Sequence, residues 1–477
     1  MASPLIAFEV LPFTGLDPFF QVLFAVTFFI VVAMFIWTVV LFARGVRSDR
    51  EIARRDEVNP ELFEWIFFVP ALNEEVTIAD SVSRLEAIEV ERKRIVVIND
   101  GSDDGTSEIL AAMNNPHLVV LERKPPQARQ GKAAALNYAF EQITSRFKLD
   151  PETTIFCIVD ADGRIAPDSP KFVAQHFVDP EIGGVQTLVR IYNRHRILTW
   201  FQDIEFSIYG RLFQAGRNKW GTSGMGGNGQ YNRMAALQAI DDRDPGPSEP
   251  AYPEDDPEDP VIAPEPASRG PWRDRLTEDQ DLGLRLLVAG WKCHHDNRAT
   301  VSQQGVSDLR RLFRQRTRWS QGNLQAMGLI GEIGGSKLFL PARIEQVLFL
   351  LMPFWQLIVG ASLFAALYLW IFEDIPFVLD VRYWWWLYFL YLLGFGGTVM
   401  GSIAAKIGDR TTILGVIKGI LTGQVYAFYT WLLWPVLIRS GFRQITSRES
   451  WAKTSREAID PPDSNPPDSG EAPADPA

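Results

Sequence analysis

The sequence predicts an α/β domain with a mostly parallel, Rossmann-like sheet, joined to transmembrane helices. Three observations lead to this fold class. Short apolar runs alternate with amphipathic stretches over residues 56–335, as in repeated strand–helix–strand units. Long and mostly uncharged segments flank that region on both sides. The chain also contains 15 Trp and 31 Phe, residues that are common where helices meet lipid.

The first uncharged segment covers residues 19–43 and follows a short N-terminal segment, 1–18. At about 1.5 Å per residue it is long enough to cross a bilayer. It is too long for the core of a signal peptide, and no basic segment precedes it. Five arginines follow between Arg44 and Arg55, so the positive-inside rule predicts that the next domain is cytoplasmic.

The region 345–438 contains three further candidate membrane spans, at 345–372, 384–405 and 412–438. Lys418 lies inside the last one, whose first turns could instead lie along the membrane interface. Four spans would place the C-terminus outside the cell, whereas the basic residues that follow favour the inside, and both remain open. The sequence therefore predicts a multi-pass protein of the cell (plasma) membrane.

The predicted strands of the cytoplasmic domain are short runs rich in β-branched and aromatic residues. They cover residues 65–70, 94–100, 118–122, 154–162 and 183–189. In open α/β sheets, ligands bind outside the carboxyl ends of the strands. We therefore expect the functional site at the residues that follow these runs.

Two acidic, Pro-rich stretches together carry more negative charge than the net charge of −11 of the whole chain. One is a predicted insertion at 241–272, where residues 241–265 carry ten acidic side chains and one Arg; the other is the tail, 457–477. Both have few large apolar residues, so we expect them to be disordered. The remainder is close to neutral, which argues against nucleic-acid binding.

Polar side chains follow the first two predicted strands. Asn73 and Glu74 follow the first, and Asp100 follows the second. Turn chemistry alone would explain such residues. Neighbouring strand ends would nevertheless bring the three side chains together at one edge of the sheet.

The run CIVDADG ends the fourth strand with two carboxylates, Asp160 and Asp162. If the chain turns after Asp160, both could face one cation, and Mg²⁺ or Mn²⁺ takes oxygen ligands that it shares with substrate phosphates. An Asp-rich turn is the alternative. Lys132 begins a predicted helix, where its charge opposes the helix dipole unless an anionic ligand binds there; a solvated surface lysine is equally consistent.

The segment GTSGMGGNGQ, residues 221–230, holds five glycines in ten residues. Such a backbone can approach a ligand closely, and Gly227, Asn228 and Gln230 could contact sugar hydroxyls. A flexible surface loop is the alternative interpretation.

Two predicted helices carry further polar groups. Thr277 and Gln280 form a capping-box pattern at the start of one helix, with Glu278 and Asp279 in its first turn, which a capping role alone would explain. On the other helix, Gln315, Arg318 and Trp319 lie at i, i+3 and i+4 and share one face. That face offers a hydrogen-bonding group, a cation for a diphosphate and a ring for a sugar, although a cationic interfacial helix would look similar.

The ordered set of these motifs resembles processive family 2 glycosyltransferases, which include cellulose, chitin and hyaluronan synthases. The resemblance runs from about Trp65 to Trp319 and rests on Asp100, Asp160-Ala-Asp162, Thr277-Glu278-Asp279 and Gln315-x-x-Arg318-Trp319. It implies a GT-A type fold and a hexosyltransferase that inverts the sugar configuration. The implied donor is a UDP-sugar, with UDP-glucose and UDP-N-acetylglucosamine as the leading examples.

The resemblance also implies roles for the residues. Asp279 would be the general base, with Glu278 beside it. Asn73, Glu74, Asp100, Lys132 and Asp160 would bind the nucleotide-sugar, and Asp162, with Asp160, would bind Mg²⁺ or Mn²⁺. The acceptor and the diphosphate would be held by Gly227, Asn228, Gln230, Gln315, Arg318 and Trp319.

The nature of the product remains open at this stage. Cellulose synthases carry an aromatic, Cys-containing motif where this chain has GMGGNGQ, so cellulose itself is not favoured. A polysaccharide is one product, and single-sugar transfer to a lipid such as diacylglycerol is the alternative. A sugar exporter would usually show more spans and internal repeats, and a non-catalytic scaffold would not need carboxylates in catalytic order.

Overall fold

The structure is a computed structural model, and it describes residues 16–241, 270–373, 396–406 and 412–446. Most of the predicted insertion, the N-terminal segment 1–15 and the predicted acidic tail lie outside these residues. The described part combines a mixed α/β domain with long apolar helices.

The described residues form an eight-stranded sheet, ordered β3-β2-β1-β4-β7-β6-β8-β5. Its strands are β1 (Glu64–Ala71), β2 (Lys93–Asn99), β3 (Leu118–Glu122), β4 (Thr154–Ile158), β5 (Arg164–Ile165), β6 (Ile182–Ile191), β7 (Gln230–Arg233) and β8 (Lys292–Gln303). The five predicted strands are confirmed as β1–β4 and β6. The first four pair in parallel, whereas β7 is antiparallel to both β4 and β6. The sheet is thus mixed, because β7 enters it as a central antiparallel strand.

The central strands are apolar on both sides because helices cover both faces of the sheet. Trp65, Phe67 and Val69 of β1 join the core on one face, and the alternate residues Ile66 and Phe68 join the core on the other. Successive strand side chains point to opposite faces, so a continuous apolar run fills both cores. This packing fixes the carboxyl ends of β1, β2 and β4 next to one another.

The helices of the α/β domain are α2 (Ile78–Glu86), α3 (Thr106–Ala112), α4 (Lys132–Arg146), α5 (Ser169–Phe177), α6 (Ile197–Ile208), α7 (Ala215–Arg217), α8 (Met234–Ala239), α9 (Glu278–Val288), α10 (Leu309–Ala326) and α11 (Ile330–Gly335). A π-helix, Tyr209–Gln214, connects α6 to α7. The helix α1 (Pro18–Ile52) precedes the domain. The helices α12 (Leu340–Leu350), α13 (Met352–Phe372), α14 (396–406), α15 (Ile413–Leu432) and α16 (Pro435–Ile445) follow it.

Two of the described helices, α1 and α13, are long and apolar enough to cross a membrane. The predicted span 19–43 lies within α1, which continues to Ile52 as one helix. Its C-terminal end packs on the α/β domain. The Arg44 guanidinium lies 3.7 Å from the centre of the Trp220 ring, and its Nε donates to the Gly216 carbonyl at 3.1 Å.

The other predicted spans differ from the structure. The segment 345–372 is two helices, α12 and α13, with Pro353 just after the break at Leu351. Residues 384–395 lie outside the described part, which contains 396–406 as helix. The segment 412–438 is also divided, because α15 ends at Leu432 and α16 begins at Pro435.

The C-terminal end of the predicted insertion belongs to the α/β core. Trp272 is 1% exposed and its ring packs edge-on against Phe140 of α4, with 6.0 Å between the ring centres. Its backbone N–H and carbonyl both bond to the Asn137 amide. Residues just before α9 are therefore anchored to α4.

Candidate active site

A cavity of about 460 Å³ opens at the carboxyl ends of β1, β2 and β4. Nine of the predicted site residues line it: Glu74, Asp100, Lys132, Asp160, Glu278, Asp279, Gln315, Arg318 and Trp319. The sheet edge, the first turns of α4 and α9, and one face of α10 thus meet at a single cavity. Asn73, Asp162, Gly227, Asn228 and Gln230 do not line it.

The ends of β1 and β2 form one wall. Asp100 follows β2 and pairs with Arg123, which follows β3, and both side chains are buried. Burial raises the pKa of Asp100, and the Arg123 guanidinium opposes that rise. The Glu74 carboxylate accepts a hydrogen bond from the Thr77 hydroxyl at 2.9 Å. Both carboxylates are therefore fixed at the cavity wall.

Asn73 supports this wall without lining the cavity. It has a φ of 55°, a left-handed conformation that Asn tolerates better than most residues. Its amide donates to the Asp103 carboxylate at 2.5 Å and accepts from the Asp103 N–H at 2.9 Å. In this arrangement Asn73 joins the turns after β1 and β2.

Lys132 lies between two carboxylates at the start of α4. Its Nζ is 2.8 Å from an Asp160 oxygen and 3.3 Å from a Glu278 oxygen. Burial alone would lower the pKa of Lys132, but the carboxylates of Asp160 and Glu278 raise it above its usual value. These two carboxylates offset the unfavourable interaction of a cation with the helix N-terminus. Through them, Lys132 connects the start of α9 to the end of β4.

Asp160 and Asp162 face different surroundings. The chain turns after Asp160, whose carbonyl accepts the Gly163 N–H at 2.6 Å, as the predicted turn required. The Asp160 carboxylate lines the cavity, whereas Asp162 is 4% exposed and accepts the Gln304 N–H at 3.0 Å. Within the described residues, no group of three or more acidic, His or Cys side chains is placed to hold a metal ion.

Asp279 lies at the start of α9, where it lines the cavity and is half-buried. Burial raises the pKa of Asp279 to about 7, the neighbouring Glu278 carboxylate adds to the rise, and the Lys132 cation opposes it. A carboxylate with a pKa near neutrality can accept a proton in its charged form and release it again. The predicted capping box is not formed: Thr277 is the N-cap, but its side chain makes no capping hydrogen bond. Glu278 and Asp279 therefore have surroundings that helix capping does not explain.

The glycine-rich segment supports the site from behind. Gly227 has a φ of 77°, and a Cβ there would lie 2.9 Å from an Asp279 carboxylate oxygen. Asn228 is buried; its side-chain oxygen accepts the Asp160 N–H at 3.2 Å, and its amide nitrogen donates to Gln303 at 2.9 Å. Gln230 is also buried and bonds to Asn232 at 3.0 Å.

This geometry corrects the predicted role of Asn228 and Gln230. Their side chains face protein groups, since a buried amide must satisfy its donors and acceptors. The Asn228 side chain holds the segment against the turn after β4 and against β8. The Gln230 side chain bonds to Gly227 and Asn232, within the segment and β7, and neither side chain lines the cavity. Gly227 acts through its lack of a side chain, which leaves room for Asp279.

One face of α10 forms a further wall of the cavity, as the sequence predicted. Gln315, Arg318 and Trp319 all line it, as their spacing of three and four residues requires. Trp319 packs edge-on against Phe206 of α6, with 6.0 Å between the ring centres. The Arg318 Nε has no hydrogen-bond partner among the described residues, although it is buried. Arg318 lines the cavity, where its positive charge can attract an anionic ligand.

Several lining residues were not predicted. Glu205, Phe206 and Tyr209 reach the cavity from α6 and the π-helix, and Phe349 reaches it from α12. Phe349 lies inside the predicted membrane span 345–372, so nothing in the sequence indicated that it would line the cavity. π-Helical turns often occur at functional sites, but no local sequence pattern marked this one.

Comparison with known proteins identifies the family of the chain. The family described as glycosyltransferase like family 2 matches residues 64–322, more than half of the chain. The chain is 26% identical over 292 residues to poly-beta-1,6-N-acetyl-D-glucosamine synthase of Staphylococcus aureus, covering 60% of each protein. It is 25% identical over 318 residues to the probable glycosyltransferase YdaM of Bacillus subtilis, covering 63% of this chain and 66% of that protein.

A solved structure has a similar fold. The mannosyltransferase PcManGT from Pyrobaculum calidifontis, in complex with GDP-Man and Mn²⁺, superposes with a TM-score of 0.55 at 17% identity. The alignment covers 90% of this chain and 100% of that one. The fold is thus GT-A-like. The chain belongs to glycosyltransferase family 2.

The packing of Gly227 against Asp279 leads to a prediction. Gly227→Ala forces a Cβ onto the carboxylate and strains a positive φ, so Asp279 must move. We expect kcat to fall by at least about tenfold, since small displacements of a catalytic group are costly. The measurement is the rate of UDP-sugar turnover by the purified variant.

Gly328→Ala is the matched control, because no atom lies within 4 Å of a Cβ at that position. It should have the activity of the unmodified protein. Full activity in Gly227→Ala would show that Asp279 does not need this position.

Proposed function

We propose that this glycosyltransferase is a membrane-bound, inverting enzyme that moves a hexose from a UDP-sugar to a growing β-linked polysaccharide. The observation that carries the proposal is the composition of one cavity. A half-buried carboxylate whose pKa is raised to about 7, Asp279, lines the same cavity as the strand-end carboxylates and the Gln315–Trp319 face of α10. A base, a donor site and an acceptor site are thus adjacent.

The strand-end wall fits the nucleotide-sugar. Asp100 and Glu74 offer acceptors for the hydroxyl and N–H groups of a nucleoside. Lys132 and Arg318 supply two cations near the position proposed for the diphosphate. UDP-glucose and UDP-N-acetylglucosamine are the proposed donors. The Staphylococcus aureus relative, whose name specifies an N-acetylglucosamine polymer, supports the second.

A divalent cation, Mg²⁺ or Mn²⁺, is part of the proposal. Mg²⁺ is commonly bound by one or two carboxylates together with substrate phosphates, so a group of three protein ligands is not required. Asp160, whose carboxylate lines the cavity, fits such a site, and Asp162 lies two residues further along the same turn. When bound, the ion would neutralise charge on the leaving diphosphate. The Mn²⁺ in the PcManGT complex is in keeping with this.

The proposed chemistry is a direct displacement. Asp279 accepts the proton of the acceptor hydroxyl as that oxygen attacks the anomeric carbon of the donor. The bond between this carbon and the diphosphate oxygen breaks, and UDP leaves with the electron pair. Attack from the side opposite the leaving group inverts the configuration, which converts an α-linked donor into a β-linked product. Lys132 and Arg318 stabilise the negative charge that develops on the diphosphate.

The acceptor side favours a sugar chain. Trp319, Phe206 and Phe349 give the cavity an aromatic end, and rings of this kind pack against sugar faces. Transfer of a single sugar to a lipid is the second candidate. The apolar helices α1 and α13 support this second candidate, because helices that cross a membrane would place the site near lipid. We further propose a multi-pass arrangement in the plasma membrane with the α/β domain in the cytoplasm.

The raised pKa of Asp279 leads to a pH prediction. Only the deprotonated carboxylate accepts a proton, so kcat/KM should be constant above the pKa and fall as the pH drops through about 7. Asp279→Asn should lower kcat at least about 100-fold and remove this acidic limb. UDP binding should change little, because the carboxylate is placed for the acceptor.

Glu332→Gln is the control for this experiment, since Glu332 is an exposed carboxylate on α11. Its pH profile should match that of the unmodified protein. Near-normal turnover in Asp279→Asn would refute the role of Asp279 as the base.

The nature of the product can be measured directly. Purified protein with labelled UDP-N-acetylglucosamine or UDP-glucose, and Mg²⁺ or Mn²⁺, should form a β-linked polymer and release UDP. Trp319→Ala should shorten or abolish the polymer and leave part of the UDP-sugar hydrolysis, because the acceptor loses about 1 kcal/mol or more of ring packing.

Trp370→Ala provides a matched control, because this Trp of α13 is exposed and does not line the cavity. A mono-glycosylated lipid as the main product, unchanged in kind by Trp319→Ala, would favour the second candidate.

A further inference from the structure

Arg316 lies within the cavity-facing stretch of α10 but does not line the cavity. It is 6% exposed, and its Nη1 donates to the Gln315 amide oxygen at 2.8 Å. Its guanidinium carbon lies 4.1 Å from the centre of the Trp319 ring. One buried cation therefore contacts two of the three cavity-facing residues of α10 from behind.

The other side of Arg316 is held by α6. Its Nη2 donates to the Glu205 carboxylate at 2.6 Å. The guanidinium lies over the Phe206 ring at 5.8 Å, and Phe206 in turn contacts Trp319. A buried arginine needs an ionic partner to offset its lost hydration, and Glu205 is that partner.

Glu205 also contacts the C-terminal helical region. The Tyr429 hydroxyl of α15 donates to the same carboxylate oxygen at 2.9 Å. The Tyr429 ring is stacked on Phe201 of α6, with 5.0 Å between ring centres and 14° between planes. Three helices, α6, α10 and α15, thus meet at one charged pair, which we call the Arg316–Glu205 pair.

We propose that Arg316 is a positioning residue for the acceptor, because it fixes the Gln315 amide and the Trp319 ring. Tyr429 on α15 holds the Glu205 carboxylate, and Glu205 in turn holds Arg316 in position. This inference rests on the proposed function, because it assigns Gln315 and Trp319 to the acceptor. The donor side should be independent of it, since the Lys132 contacts with Asp160 and Glu278 do not include any residue of the pair.

Arginine has a property at this position that lysine lacks. Its planar group can stack on a ring and donate in two directions at once, whereas an ammonium group is a compact point charge. Arg316→Lys should therefore keep the charge beside Glu205 and lose the contact with the Trp319 ring. A residue that served only to neutralise Glu205 would be replaced by lysine without loss.

The first test compares substitutions at two arginines of α10. Arg316→Met removes the charge, Arg316→Lys keeps it, and Arg314→Met changes an exposed arginine on the same helix. The probe is a short β-linked N-acetylglucosamine oligosaccharide, with UDP-N-acetylglucosamine as donor. We expect Arg316→Met to raise the acceptor KM by about tenfold or more, as loss of hydrogen bonds to charged groups does. The acceptor KM of Arg316→Lys should lie between those of Arg316→Met and the unmodified protein. The acceptor KM of Arg314→Met should equal that of the unmodified protein.

UDP affinity is measured in parallel and should stay within about twofold in every variant. Equal losses in UDP affinity and acceptor KM would indicate a purely structural role and overturn the inference. An acceptor KM in Arg316→Lys equal to that of the unmodified protein would overturn it too, because stacking on Trp319 would then be irrelevant.

A second test uses the milder change Tyr429→Phe, which removes only the hydroxyl that bonds to Glu205. It should raise the acceptor KM by a few-fold. The double variant with Arg316→Met should be no worse than Arg316→Met alone, since both changes act through one pair. Additive effects in the double variant would contradict the proposed connection.

The outcomes separate this inference from the proposed function. If the unmodified protein does not extend the oligosaccharide but glycosylates a lipid, both the polysaccharide proposal and this inference fail. If it extends the oligosaccharide and Arg316→Met behaves like the unmodified protein, the positioning role alone fails.

Discussion

The ion pairs of Lys132 with Asp160 and Glu278 connect the two halves of the active site. Asp160 follows β4, and Glu278 begins α9, so one ammonium group joins the strand-end wall to the helix that carries Asp279. The same charge lowers the pKa of Asp279, against burial and the Glu278 carboxylate, which raise it. Position and acidity of the proposed base therefore depend on a single lysine. The cluster holds three partly buried carboxylates close together, and a nearby cation stabilises their charged forms.

The glycine-rich segment makes that cluster possible. Gly227 leaves the space that Asp279 occupies, and the Asn228 side chain accepts the Asp160 N–H from behind. The segment enters the sheet as β7, between β4 and β6. The loop that leads into this central antiparallel strand thus supports both carboxylates, and this explains why the mixed topology matters to the site. The cavity-lining side chains come from other elements.

Much of the fold follows from local sequence patterns. Runs such as Trp65–Pro70 are apolar at every position, and a strand buried on both faces requires that. The face of α10 follows from the spacing of Gln315, Arg318 and Trp319, because helical geometry places those positions together. Strand ends are also predictable, since parallel strands end at one edge. The apolar strands, the face of α10 and the strand ends can therefore each be predicted from a short stretch of sequence.

The remaining features depend on contacts between distant segments. Asn228 and Gln230 look suited to a ligand in the sequence, but the position of β7 buries them against protein groups. The Arg316–Glu205 pair joins residues that are 111 positions apart, and no periodicity connects them. The single apolar run 345–372 contains the break between α12 and α13, which brings Phe349 to the cavity. Hydropathy reports the apolar character of such a segment and not where it turns.

The dependence of Asp279 on Lys132 can be measured through the acidic limb of the pH–rate profile. Lys132→Gln removes the cation that stabilises the Asp279 carboxylate, so the limb of kcat/KM should move to higher pH. Lys132→Arg keeps the charge and should leave the limb close to its original position. Both variants are assayed with the same UDP-sugar, and the pH of the acidic limb is compared between them. The absolute rate of each variant does not enter this comparison. An acidic limb at the same pH in Lys132→Gln, Lys132→Arg and the unmodified protein would contradict the central role of this lysine.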